Sequence, residues 1–169
     1  MQIFGLAGWS GSGKTTLLTA LIPELVARGI TVSTVKHAHH AFDIDRPGKD
    51  SWRHREAGAR EVMITSERRW ALMHELRGDP EFSLDRLLAR LGPVDLVLVE
   101  GFKRHPHPKL EVHRAALGKP LIHPEDPFVV AFASDEPPPG LGLPWLPLSD
   151  ARAIAGFVIE HLGLGRCRS

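Results

Sequence analysis

One cysteine stands among the 169 residues, Cys167, close to the end of the chain. Without a second thiol no disulfide forms within the chain, which points to a reducing compartment. Neither sign of charge is in excess. Lys and Arg number 21 against 20 Asp and Glu, a formal net charge of +1, so the balance gives no reason to expect nucleic acid or a membrane as a partner. Apolar runs stay well short of the roughly 18 residues that span a bilayer, and no internal repeat is visible. A cleavable leader is not expected, because a ligand-binding motif already begins at residue 8. The expectation is a cytoplasmic protein. Its 43% hydrophobic and 24% charged residues are ordinary for a globular chain. The length suits one α/β domain, residues 1–169, with a real core.

Residues 8–15 read Gly-Trp-Ser-Gly-Ser-Gly-Lys-Thr, a complete phosphate-binding loop of the form G-x-x-x-x-G-K-[ST]. Gly8, Gly11 and Gly13 let backbone N–H groups crowd a polyphosphate without Cβ clashes, and Ser10, Ser12 and Thr16 complete the cradle. Lys14 is placed to reach the β- and γ-phosphates, and the Thr15 hydroxyl to ligate Mg²⁺. The context fits: an apolar strand-like run at 2–7 precedes the loop and a helix opening at 16–22 follows it. That helix aims its positive end at the same phosphates.

Further along, residues 15–28 read as a helix kinked at Pro23, and 30–36 as a β-branched strand. A polar loop covers 37–49, and Asp50 or Ser51 is expected to cap a helix to about Ala57. Strands are expected at 61–65, 69–74, 94–99, 110–113 and 128–133. Helices are expected at 83–91, capped by Ser83, and at 150–162, capped by Ser149. Strands alternating with helices argue for a mostly parallel sheet flanked by helices. The pair at 61–74 and the strand at 110–113 suit a small antiparallel extension.

Ligands of open α/β sheets bind beyond the carboxyl ends of the strands. Glu100 lies at that end of the run 95–100 and Asp95 at the other, roughly 16 Å away. Glu100 is therefore the expected partner of Thr15 at the metal, with Gly101 letting the chain turn close to the phosphates. The guanine signature [NT]-K-x-D is absent. Asp135, just past a strand, would accept from guanine N1 and N2, although the same spacing suits a turn before the proline run. Two dense basic segments also follow strands. Their Lys36, His37, His39, His40, Lys49 and Lys103 suit a second anionic ligand. Histidines at 37, 39 and 40 would also serve a transition metal, but no thiolate or clean ligand spacing joins them. Asp43, Asp45 and Asp50 are candidates for polarising water, and Asp50 is preferred because it abuts a helix start.

Several segments together resemble the molybdopterin-guanine dinucleotide biosynthesis adaptor protein B family. They are Trp-Ser-Gly-Ser-Gly-Lys-Thr-Thr-Leu-Leu at 9–18, Lys-His-Ala-His-His at 36–40, Asp-Arg-Pro-Gly-Lys-Asp-Ser at 45–51, Glu-Ala-Gly-Ala at 56–59, Arg-Trp-Ala-Leu-Met at 69–73 and Leu-Val-Glu-Gly-Phe-Lys at 98–103. Ala-Ser-Asp at 133–135 fits the family's late strand. The resemblance covers about residues 2–135. It implies a P-loop NTPase fold and a GTP-binding homodimer with Mg²⁺ and at most slow hydrolysis. The implied role is assisting the nucleotidyltransferase that attaches GMP to molybdopterin, itself phosphate-bearing. Where the family often has an acidic residue after the paired histidines, this chain has Ala41, which shifts weight to Asp43, Asp45 and Asp50. The competing readings are a metallochaperone GTPase using His37, His39 and His40, and a small-molecule kinase using Arg68 and Arg69 as a lid.

Overall fold

The computed structural model describes residues 1–38 and 42–165. In chain order the elements are β1 (Gln2–Ala7), α1 (Lys14–Val26), β2 (Val32–Lys36), α2 (Asp50–Glu56), β3 (Glu61–Thr65) and β4 (Trp70–His74). There follow α3 (Leu84–Leu88), β5 (Leu96–Glu100), β6 (Lys109–Val112), a 3₁₀ turn at Ala115–Leu117, β7 (Val129–Ser134), β8 (Trp145–Pro147) and α4 (Ala151–Leu162). They fall into two compact units, Met1–His37 with Leu91–Ser169, and Ala38–Arg90.

The first unit is built on a six-stranded sheet of order β2-β5-β1-β6-β7-β8 in which all pairings are parallel. Strand β5 is buried along its whole length, as its apolar run requires of a central parallel strand. Alternation then sorts the side chains. Phe4, Leu6, Leu96, Leu98, Leu110 and Val112 join Leu17, Leu21 and Leu25 of α1 and Ile154 and Val158 of α4 in one apolar core. Because all the strands run the same way, the carboxyl ends of β1, β2 and β5 lie on one edge. Lys36 is in register with Glu100, and Glu100 with Leu6.

The sequence expectations hold in outline and fail in particulars. The strand expected at 110–113 belongs to no antiparallel extension. It is β6, parallel and central between β1 and β7. A short strand carrying Lys109 and Glu111 reads as an edge, yet both charges are buried at 1% exposure. Edge strand β8, running into Pro147, carries no strand pattern and went unseen. Asp150, not Ser149, caps α4, its carboxylate accepting from the Ala153 N–H at 2.9 Å. Lys49 occupies the cap position of α2, with Asp50 in the first turn, and no side chain caps that helix.

In the second unit β3 and β4 form an antiparallel hairpin, as the sequence suggests. Val62, Met73, Phe82, Leu84 and Leu88 are buried there, and the Arg86 guanidinium lies 3.7 Å from the Phe82 ring centre. Arg55 ties the unit together, 2.9 Å from Asp43 and 3.5 Å from Glu75.

Candidate functional site

Strand β1 delivers the chain into the loop, and α1 begins at Lys14 directly behind it. Gly13, with φ +98°, holds the cap position, a conformation that favours glycine. No acidic residue of α1 itself occupies its first turn, so the helix does not neutralise its own positive end. Gly8 is fixed by space: a Cβ there would sit 2.5 Å from the Val112 carbonyl oxygen and 2.6 Å from Ser12 Oγ. Gly11 borders no other part of the chain closely. It is exposed, and a Cβ there would meet no protein atom nearer than Leu117 Cδ2 at 3.8 Å. The backbone at Gly11, with φ +82°, is what suits glycine, not a close approach within the chain. The Ser12 hydroxyl is buried with no hydrogen-bond partner among the described residues. An orphaned hydroxyl inside a cradle of glycines fits an anion held by loop amides.

Glu100 closes the other side. Thr15 Oγ1 donates to its carboxylate, 3.3 Å from each oxygen, and Lys36 Nζ lies 3.6 Å from Oε2. Loop threonine and strand-end carboxylate are therefore side by side, a hard oxygen pair of the kind that suits Mg²⁺. Lys14 Nζ donates to the carbonyls of Gly8 and Trp9 at 3.0 and 2.9 Å. Burial pushes the Lys14 ammonium below its usual pKa. Glu100 opposes this, and Lys103 and Lys36 add to the lowering. Lys14 thus feels one carboxylate and two further ammonium groups, an excess of positive charge that favours an anionic ligand.

At the carboxyl edge the Gly101 backbone is passed closely by His37. Its φ is +99°, and a Cβ added there would lie 2.6 Å from the Cβ of His37. Gly101 thus permits a close chain crossing. His37 donates its backbone N–H to the Glu100 carbonyl at 2.8 Å and packs its ring on Phe102, centroids 4.9 Å apart. Lys103 Nζ sits 4.8 Å from the centre of the Trp9 ring, whose Nε1 donates to the Pro120 carbonyl. Lys36, His37 and Lys103 accordingly gather at this edge. Asp95 lies at the opposite strand end, accepting from the Thr31 N–H and hydroxyl at 2.8 and 2.6 Å.

Lys49 and Asp50 belong to the second unit, both exposed at the start of α2. Asp45 there accepts from the Arg46 N–H and the Ser51 hydroxyl. His39, His40 and Ala41 lie outside the described residues. Among the described residues no group of three His, Cys, Asp or Glu is placed to hold a metal. Arg68 and Arg69 sit in the tight turn between β3 and β4, where Ser66 N donates to the Arg69 carbonyl.

Beside α1 lies a cavity of about 240 Å³, lined by Gly13, Thr16, Leu17, Arg114, Asp135 and Leu148. Asp135 lines it as an exposed carboxylate paired with Arg114. Sequence reasoning missed Arg114. Its signal was that it follows β6, whose carboxyl end becomes part of the site only once β6 is recognised as a central parallel strand.

The described residues contain no helix long and apolar enough to cross a membrane. A family model described as "Molybdopterin guanine dinucleotide synthesis protein B" matches residues 3–135. A molybdopterin-guanine dinucleotide biosynthesis adapter protein of Haemophilus influenzae is 50% identical over 81% of this chain and 76% of its own. Its Escherichia coli counterpart is 44% identical over 96% and 94%. A crystal structure of molybdopterin-guanine biosynthesis protein B superposes with a TM-score of 0.76 at 29% identity, over 95% of this chain and 99% of the other. A Bacillus stearothermophilus homologue follows at 0.69 and 26%, over 96% and 99%.

Proposed function

The chain belongs to the molybdopterin guanine dinucleotide synthesis protein B family, and on that premise we propose that it is an adapter of molybdopterin-guanine dinucleotide biosynthesis that works by binding GTP with Mg²⁺. The observation that carries the nucleotide part is the Thr15–Glu100 pair, brought together by α1 and β5 across a glycine cradle. Loop amides and Lys14 would hold the phosphates. Thr15 and Glu100 would hold Mg²⁺, which supplies charge neutralisation at the phosphate oxygens when bound. Asp135, in the cavity beside α1, would accept from the guanine ring.

Lys36, His37 and Lys103 suit a second anionic ligand such as the phosphate of molybdopterin, and Lys49, His39 and His40 join that reading from the sequence. Asp50 as the carboxylate that aligns water in slow hydrolysis rests on sequence position as well. Adapter work of this kind implies a pathway partner, for which the nucleotidyltransferase is the proposal, with the chain acting as a cytoplasmic homodimer.

Equilibrium binding of GTP and ATP, each with Mg²⁺, tests the reading on the wild type and Asp135→Ala. GTP should bind at least tenfold tighter to the wild type, and the preference should vanish in the variant. Equal affinity in the wild type would remove the guanine assignment. No binding of either would remove the nucleotide reading.

A further inference from the structure

The Arg114 guanidinium pairs with Asp135 and lies beside the start of α1. Its Nη1 lies 3.1 and 3.4 Å from the two Asp135 carboxylate oxygens. Its other edge faces Gly13: a Cβ built there would find Nε at 3.5 Å and Nη2 at 3.7 Å. The Arg114 backbone is anchored, extended at φ −129° and accepting from the Leu117 N–H at the 3₁₀ turn. The side chain, not the backbone, is the part free to turn. Both partners line the cavity beside α1, and both are substantially exposed, at 42% and 63%.

The geometry sets a condition on any ligand. Guanine binds a carboxylate through N1–H and N2–H, which need both oxygens, and Nη1 of Arg114 spans both. A guanine that displaces Nη1 leaves the guanidinium without its anion. A phosphate at Gly13, where α1 begins, would replace that anion and accept a bidentate fork. A base alone breaks the ion pair with nothing returned to Arg114. A phosphate alone draws Arg114 away and leaves Asp135 unpaired. Adenine lacks the paired donors and cannot release Asp135 at all.

We propose that the Arg114–Asp135 pair is a two-part lock on the base cavity, opened by ligands that carry a guanine and a phosphate together. It rests on the nucleotide reading above and goes further, because it couples the base and phosphate ends of the site through one positioning residue.

Calorimetric titration of GDP and guanosine, each with Mg²⁺, into the wild type and Arg114→Ala separates the outcomes. The exposed pair is worth little by itself, so its loss should raise guanosine affinity by about two- to fivefold. Loss of the phosphate contact should lower GDP affinity on the order of tenfold. The GDP-to-guanosine preference therefore narrows from both sides. Parallel weakening of the two ligands would show that Arg114 only steadies Asp135, and no change in either would reduce the pair to surface decoration. Each result overturns the lock. Arg114→Gln, which keeps the stem, carries the same comparison if the alanine variant melts early. Asp135→Asn tests the underlying reading separately, because it should exchange guanosine diphosphate for xanthosine diphosphate. Failure there removes the base site itself, whereas success there with parallel losses at Arg114 removes only the lock.

Discussion

The two faces of the six-stranded sheet are both buried, and they differ most at β6. Toward α1 and α4 the strands present Phe4, Leu6, Leu96, Leu98, Leu110 and Val112, all at or near zero exposure. On the other face β5 and β7 still present Val97, Val99 and Phe132, but β6 presents Lys109 and Glu111, each 1% exposed. Both charges are answered. Lys109 Nζ lies 2.9 Å from Asp126, and Glu111 accepts from the Ile122 and His123 backbone N–H groups at 2.7 and 2.8 Å and pairs with His123 Nδ1 at 3.0 Å. Four residues of one strand serve both faces by alternation. Apolar burial is non-directional and tolerates approximate neighbours. Ionic burial needs particular partners in particular places, so the polar face should fail in a different way when disturbed.

The largest effect should come from breaking one partnership. Asp126→Asn keeps the acceptor for the Phe128 N–H but leaves the Lys109 ammonium buried without its anion. It should cost about 3 kcal/mol or more in urea unfolding. Leu110→Ala, on the other face, should cost a similar amount, about 2–5 kcal/mol, through an unfilled cavity. A second substitution tells the two apart. Lys109→Met combined with Asp126→Asn, which keeps the acceptor for the Phe128 N–H, should regain most of the loss. A double variant as unstable as the single would mean that the polar face does not depend on pairing.

Acid separates the faces further. His107 is 3% exposed on the polar side, its Nδ1 2.9 Å from that of His105. Burial first, then Lys109 and His105, pushes its pKa down from 6.5 to about 4. Well above pH 6.5 the ring is neutral whether folded or unfolded and its contribution to stability is complete. Below that the unfolded chain takes up a proton that the folded one refuses. Stability should therefore fall as pH drops toward about 4, levelling at a loss of up to about 3 kcal/mol. His107→Asn, compared with the wild type by urea melts between about pH 7 and 4, should flatten that part of the slope. An unchanged slope would assign the acid sensitivity to carboxylates such as Asp43, which its hydrogen bond from Arg55 holds below the usual range.

Glycines report the same contrast at smaller magnitude. A Cβ on Gly5 would lie 2.4 Å from His107 Nε2 and 2.9 Å from Cδ2, against a packed ring with little room to yield. Gly5→Ala should destabilise by about 1–3 kcal/mol. Gly156, inside α4, would meet only the Arg28 guanidinium at 3.6 Å. Gly156→Ala should stabilise by roughly 0.5–1 kcal/mol through helix propensity. Thermal melts of the two variants moving in the same direction would contradict this assignment of crowding to the polar face.

Legibility followed the same divide. The apolar face was readable because periodicity announces it: β1, β5 and the leucines of α1 appear as strand, strand and helix from residue pattern alone. The phosphate loop was readable because each fixed position has one chemical use, and Glu100 followed from strand direction. Strand β6 was misplaced because Lys109 and Glu111 look like exposed edge residues until Asp126, His123 and two backbone amides, 11 to 17 residues away in sequence, are seen to pair with them. Partners that distant leave no local signal. Arg114 was lost by the same route, since its value depends on where β6 ends. The Ser149 cap failed more simply, because the adjacent Asp150 offers an equally good acceptor one residue closer to the helix.

The carboxyl edge holds charges of a third kind, and the smallest effect on folding should come from there. Lys36 stands 3.6 Å from Glu100 with its side chain 58% exposed, so water screens the pair and the ammonium keeps most of its hydration. Lys36→Ala should change unfolding free energy by no more than about 0.5 kcal/mol. Its effect belongs to binding. Removing one of the two ammonium groups that act on Lys14 lowers the positive potential that an anion meets, and nucleotide affinity should fall about threefold at low salt. The difference should shrink as ionic strength approaches about 1 M, where the screening length is about 3 Å. A stability loss well above about 1 kcal/mol would place Lys36 with the buried pairs of the polar face. The edge would then be part of what holds the sheet together, not a surface kept charged for its ligand.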